Sequence, residues 1–212
     1  SADTKAACAL TADAVACGAD ALLVITPYCN KGTADGIVEH YRRVADAACG
    51  RPVILYNIPS RTGVDLTEAQ YAALAEVPNI RAVKEASGSM AKLTRLCADG
   101  RLAVYSGNDD QILPVAALGG RGVISVLSNL APAAVSAMAH AAVDGDFDTA
   151  RHLAYKYARL ISLLFAETNP APLKYALELL GLSRGEVRLP LAEVRADTKA
   201  ALREELTALG ML

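Results

Sequence analysis

The chain has 212 residues, 53% of them hydrophobic, and a formal net charge of −2. That is enough for one core or two small ones, and the near-neutral balance without basic runs excludes nucleic-acid or anionic-membrane binding through bulk charge. No apolar stretch reaches the roughly 18 to 20 residues of a spanning helix.

The N-terminal "SADTKAACAL" has neither the basic start nor the long apolar core of a signal peptide, so a cytoplasmic location is expected. Residues 2–17 are Ala-rich and helical, ending before Gly18. "ALLVIT" (21–26) is an apolar run of strand length. Ile37, Val38, Tyr41 and Val44 at helical spacing predict an amphipathic helix over 33–48. "PVILYN" (52–57) is the next strand, and Thr67 with Gln70 forms a capping-box signature for a helix to about Glu76. "IRAVK" (80–84) is a third strand, with a helix near 89–98. "LAVYSG" (102–107) is a fourth, followed by a helix from about Asp109 to Leu118. "GVISV" (122–126) is a fifth. Four helical patterns close the chain, at about 131–143, 147–166, 170–180 and 191–209.

Apolar strand runs alternating with helices predict a parallel sheet covered on both faces, either an open doubly wound sheet or a β/α barrel. The β/α rhythm stops near Gly145, which predicts a partial barrel over 1–145 and a helical region over 146–212. "LGGRGV" precedes a strand rather than following one, so it reads as a tight turn and not as a dinucleotide fingerprint. A complete eight-stranded barrel takes about 250 residues. The barrel reading therefore predicts that only its last five strands are present.

Five cysteines, none spaced C-x-x-C, read as reduced small residues, and the three histidines are far apart. No metal site is expected.

Polar groups collect where the strands end: Thr26-Pro27-Tyr28, Tyr56-Asn57, Lys84-Glu85, Ser106-Gly107 and Ser125. In parallel α/β folds that end of the sheet is the catalytic face. Lys84 ends a short strand. A surface lysine is the plain reading; the sharper one is a Schiff-base amine, whose pKa of about 10.4 must fall by about 3, roughly 4 kcal/mol. Glu85 beside it should point to the opposite face. Tyr56 ends the preceding strand and should share a rim with Lys84, where a phenol can shuttle a proton. Arg61 follows in a loop and can grip a carboxylate. Amine, proton shuttle and anion clamp are the equipment for condensing or cleaving an α-keto acid through an imine.

"YNIPSRTG" and "VKEASG", continued through "VITPYCNK", "YSGNDD", "GGRGVISV" and "NPAPLKYAL", resemble the dihydrodipicolinate synthase (4-hydroxy-tetrahydrodipicolinate synthase) family. These are class I pyruvate-dependent aldolases with a (β/α)8 TIM barrel, and the resemblance spans essentially the whole chain. It implies that Lys84 forms the Schiff base with pyruvate and that Tyr56 relays protons. It implies that Arg61 holds the carboxylate of aspartate semialdehyde, and that Gly107 and Ile124 line the pyruvate pocket. The implied reaction yields 4-hydroxy-tetrahydrodipicolinate for lysine biosynthesis, without metal or organic cofactor, in a homo-oligomer, usually a tetramer.

Two departures stand out. The sequence starts at a point that, by the resemblance, lies after the family's earlier segment with its Gly-Thr-Thr-Gly-Glu motif. In "TPYCN", Tyr28 remains, but Cys29 stands where the family commonly has a second, proton-relaying tyrosine. Two alternatives stay open: a related aldolase or lyase of longer keto acids, like N-acetylneuraminate lyase, and a truncated, non-catalytic subunit.

Overall fold

A computed structural model describes all 212 residues. Its helices are α1 (Thr4–Ala16), α2 (Ala34–Ala47), α3 (Pro59–Thr62), α4 (Glu68–Ala75), α5 (Met90–Asp99), α6 (Ile112–Ala117), α7 (Pro132–Val143), α8 (Phe147–Leu164), α9 (Ala171–Leu179) and α10 (Ala196–Ala208). The strands are β1 (Leu22–Ile25), β2 (Val53–Asn57), β3 (Ile80–Glu85), β4 (Ala103–Ser106) and β5 (Gly122–Val123). They lie in one five-stranded sheet in chain order, β1-β2-β3-β4-β5, and the pairs through β4 are parallel. Short crossovers through helices produce that order, because a parallel neighbour can be reached only by returning along the sheet.

The chain divides into two compact units. Residues 1–107 and 118–122 form the first. Within it the two sheet faces differ. Val53, Leu55, Val83 and Val104 are all at most 2% exposed. Tyr41 and Val44 of α2, Leu74 of α4 and Leu93 of α5 are as deeply buried, so this is the helix-covered face. Ile54, Tyr56, Lys84 and Tyr105 alternate with them and are only half-buried. The equal cover expected from continuous apolar runs is therefore not found. Local signals hold: Thr67 caps α4 and forms the full capping box with Gln70.

The second unit comprises residues 108–117 and 123–212. Ile112, Leu127, Met138, Leu160, Leu164, Leu202 and Leu206 are its buried centre. Tyr157, Leu160, Ile161 and Leu164 recur at helical spacing on α8 and bury one stripe of it.

Three elements depart from the sequence expectations. β5 covers Gly122–Val123, not 122–126. The reason is Asp109, whose Oδ2 accepts from the N–H groups of Val126 and Leu127 (3.0 Å each) and turns the chain into a 3-10 turn over Leu127–Asn129. α10 starts at Ala196, not near 191. Arg195 stays extended, and its N–H donates to the Glu167 carboxylate (3.1 Å). The segment carrying Arg61, expected as a loop, is the helical turn α3. Pro59 starts it and Gly63 closes it with a left-handed φ of 70°, its N–H bonding to the Pro59 carbonyl.

Candidate active site

Parallel pairing aligns Ile25 with Tyr56, Tyr56 with Lys84, and Lys84 with Tyr105. Register partners in a sheet share a face, so three polar side chains stand in one row on the half-buried side. The Lys84 Nζ lies 4.3 Å from the centroid of the Tyr56 ring. This is the juxtaposition of amine and phenol expected from the sequence. It is also a cation–π contact of the Lys84 side chain with the ring face.

Tyr56 is fixed by its neighbour strand. Its carbonyl accepts both the N–H (3.0 Å) and the hydroxyl (2.8 Å) of Thr26, a fully buried residue. Burial pushes the Tyr56 phenol above its ordinary pKa, and the Arg61 guanidinium pulls it back down. Arg61 thus acts on the phenol from α3. At neutral pH the phenol keeps its proton and can give it to a substrate oxygen, and Arg61 eases its later loss.

Gly107 directly follows β4, and its N–H donates to the Glu85 carbonyl (2.8 Å). A Cβ at this position would lie 2.5 Å from the Cβ of Ala86. Glycine is needed here for close approach of two strand ends.

Cys29 lies in the segment after β1 with a left-handed φ of 75°. Its N–H donates to the Thr62 carbonyl (3.3 Å), which docks this segment on the turn that carries Arg61. Its neighbour Tyr28 is 42% exposed. Ile124 belongs to the second unit, where it follows β5 just before the Asp109-capped turn. Lys84, Tyr56, Arg61, Gly107 and Cys29 all belong to the first.

The opposite face of the same strand ends holds groups the sequence did not single out as a set. Glu85 and Asn57 are completely buried. The Glu85 carboxylate accepts from Asn57, from the Tyr71 hydroxyl (2.6 Å) and from the Ser87 N–H (2.8 Å). Glu85 therefore points away from Lys84's face, as strand alternation predicts. Tyr105 was also passed over, although a strand register counted from the polar ends would have placed it beside Lys84. Asp109 could have been found only by knowing that Val126 and Leu127 return to it.

A model of the dihydrodipicolinate synthetase family matches residues 1–209. The chain is 46% identical over 213 residues to 4-hydroxy-tetrahydrodipicolinate synthase of Methanothrix thermoacetophila, covering 99% of this chain and 72% of that protein. It is 44% identical over 210 residues to the enzyme of that name from Methanocaldococcus jannaschii, covering 99% and 72%. Among solved structures, dihydrodipicolinate synthase from Aquifex aeolicus superposes with a TM-score of 0.96 at 41% identity, covering 99% of this chain and 72% of that one. The chloride-inhibited dihydrodipicolinate synthase from Acinetobacter baumannii, complexed with pyruvate, gives a TM-score of 0.96 at 41% identity, with 100% and 73% covered.

Proposed function

Because this chain belongs to the dihydrodipicolinate synthetase family, we infer that it condenses pyruvate with aspartate semialdehyde through an imine on Lys84. The product is 4-hydroxy-tetrahydrodipicolinate, on the route to lysine. The observation that carries this reading is the Lys84 amine 4.3 Å from the Tyr56 ring, with the Arg61 charge acting on the same phenol.

The chemistry follows from those groups. The neutral amine adds to the pyruvate ketone, and water leaves as the imine forms. The iminium draws electrons from the pyruvate methyl, which loses a proton and becomes an enamine carbon. That carbon attacks the aldehyde, and Tyr56 protonates the new alkoxide. The amino group of the second substrate then displaces Lys84 and closes the ring, so the lysine is regenerated and one water is released overall. The iminium formed on Lys84 is the electron sink, and the reaction as proposed uses no metal or organic cofactor. Arg61 holds the aldehyde's carboxylate. Gly107 lines the pyruvate pocket, and Cys29 occupies the position of the second relay tyrosine.

The strand order β1 to β5 and the relatives' greater length support reading the sheet as the last five strands of a (β/α)8 barrel. On that reading 1–145 is the barrel part and 146–212 the helical region. Family membership supports a homotetramer. No helix is long and apolar enough to cross a membrane, and we place the enzyme in the cytoplasm, without nucleic-acid partners.

Turnover with the two substrates tests the reaction. Pyruvate-dependent consumption of aspartate semialdehyde is expected, with sugar-derived keto acids turned over poorly. Preference for the sugar keto acids would assign a lyase of the N-acetylneuraminate type instead.

A further inference from the structure

Tyr56 and Lys84 each have an immediate strand neighbour on the opposite face, Asn57 and Glu85, and these two are also register partners. Neither exposes any surface. The Asn57 amide divides its hydrogens. It donates to Asp65 Oδ1 (2.8 Å) and to both oxygens of Glu85 (3.0 and 3.1 Å). Its carbonyl oxygen accepts from the Leu66 N–H (3.1 Å). Lys92 Nζ ties down the same loop by donating to Asp65 and to the Leu66 carbonyl. Glu85 completes its shell with the Tyr71 hydroxyl of α4 and the Ser87 N–H. Burial, then the Glu85 carboxylate, hold the Tyr71 phenol far above its ordinary pKa, so it remains a donor.

Stability alone does not account for this carboxylate. A fully buried charge is costly, and an apolar residue of similar volume at such a site is commonly neutral or stabilising. Its place in the chain is informative. Four hydrogen bonds to the side chain at 85, with the Gly107 N–H on the backbone carbonyl of 85 (2.8 Å), fix the twist of β3 at its end. That twist sets the direction of the Cα–Cβ bond of Lys84. Asn57 does the same for the end of β2, which carries Tyr56. One network therefore holds both strand ends from behind the amine and the phenol.

We propose that Glu85 is a positioning residue for imine formation: its carboxylate, held by Asn57, Tyr71 and the Ser87 N–H, sets the direction in which β3 presents the Lys84 amine toward Tyr56. This rests on Lys84 being the imine-forming residue.

The test is the rate of pyruvyl adduct formation at Lys84, measured by quenching with borohydride at successive times. Wild type is compared with Glu85→Gln, which removes the charge and keeps the volume, and with Tyr71→Phe. Misplacement of a reacting group by about 1 Å costs on the order of 10²-fold, so Glu85→Gln should slow the per-site rate by roughly 10- to 100-fold. Loss of one hydrogen bond in Tyr71→Phe should slow it roughly 2- to 10-fold. In both, the final adduct per folded chain should match wild type. A merely structural role lowers the melting temperature and the number of reactive sites but leaves the rate per site unchanged, and that result overturns the proposal. If Glu85→Gln does not fold, Tyr71→Phe decides on the same criterion. A wild-type chain that traps no pyruvate at Lys84 refutes the imine reading and the proposal with it. Normal wild-type trapping with unchanged variants refutes the proposal alone.

Discussion

In the proposed reaction Arg61 acts on the second substrate, it also acts on Tyr56, and the two effects are separable. Its guanidinium is proposed to grip a carboxylate, and charge-assisted hydrogen bonds contribute about 1.5–3 kcal/mol. Arg61→Ala should therefore raise the KM for aspartate semialdehyde by roughly 10- to 150-fold and leave the KM for pyruvate nearly unchanged. The second effect gives a sign that can be checked. Arg61 lowers the Tyr56 pKa against the upward push of burial. Removing it lets that pKa climb, so the basic limb of the kcat/KM profile should move to higher pH. No movement, or movement to lower pH, would separate Tyr56 from the observed limb. Lys84, Tyr56 and Arg61 were legible in the sequence because each is a polar group set at or just beyond the end of an apolar run. Asp65, Tyr71 and Lys92 were not. They sit in unremarkable loop and helix positions, and their role exists only through contacts with Asn57 and Glu85 across the fold.

The strands and helices were read from periodicity, and most positions agree with it because burial, rather than a special contact, decides them. The exceptions are positions where a single tertiary bond overrides the pattern. "ISV" after β5 has every property of a strand, yet the Asp109 carboxylate captures the backbone of Val126 and Leu127. The start of α10 is delayed where Arg195 bonds to Glu167. Gly107 makes a prediction at this scale. A methyl there would meet the Ala86 Cβ at 2.5 Å and the Glu85 carbonyl oxygen at 3.1 Å. These atoms belong to the last residue of β3 and the residue that follows it, so the strand ends must part. Overpacking of this kind costs about 1–3 kcal/mol. Gly107→Ala should lower Tm by roughly 2–4 °C for each kcal/mol lost. A thermal melt identical to wild type would show that the β3 and β4 ends are looser than described.

At the scale of the molecule, a parallel sheet was legible because helices of 8 to 14 residues separate its first four strands, whereas its order was not, since an open doubly wound sheet and a barrel both fit that alternation. The division into two units was not, since the first closes with residues 118–122 after the chain has already entered the second. Such a split depends on contacts that no local pattern records. The functional account rests on the first unit, in which Lys84, Tyr56 and Arg61 meet. The proposed chemistry turns on an imine between pyruvate and Lys84, and reduction of the folded chain with borohydride in the presence of pyruvate shows whether it forms. The account predicts one reduced pyruvyl group per active chain, found by peptide mass on Lys84 and lost in Lys84→Arg. A folded chain without an adduct, or with the adduct on another lysine, would contradict it.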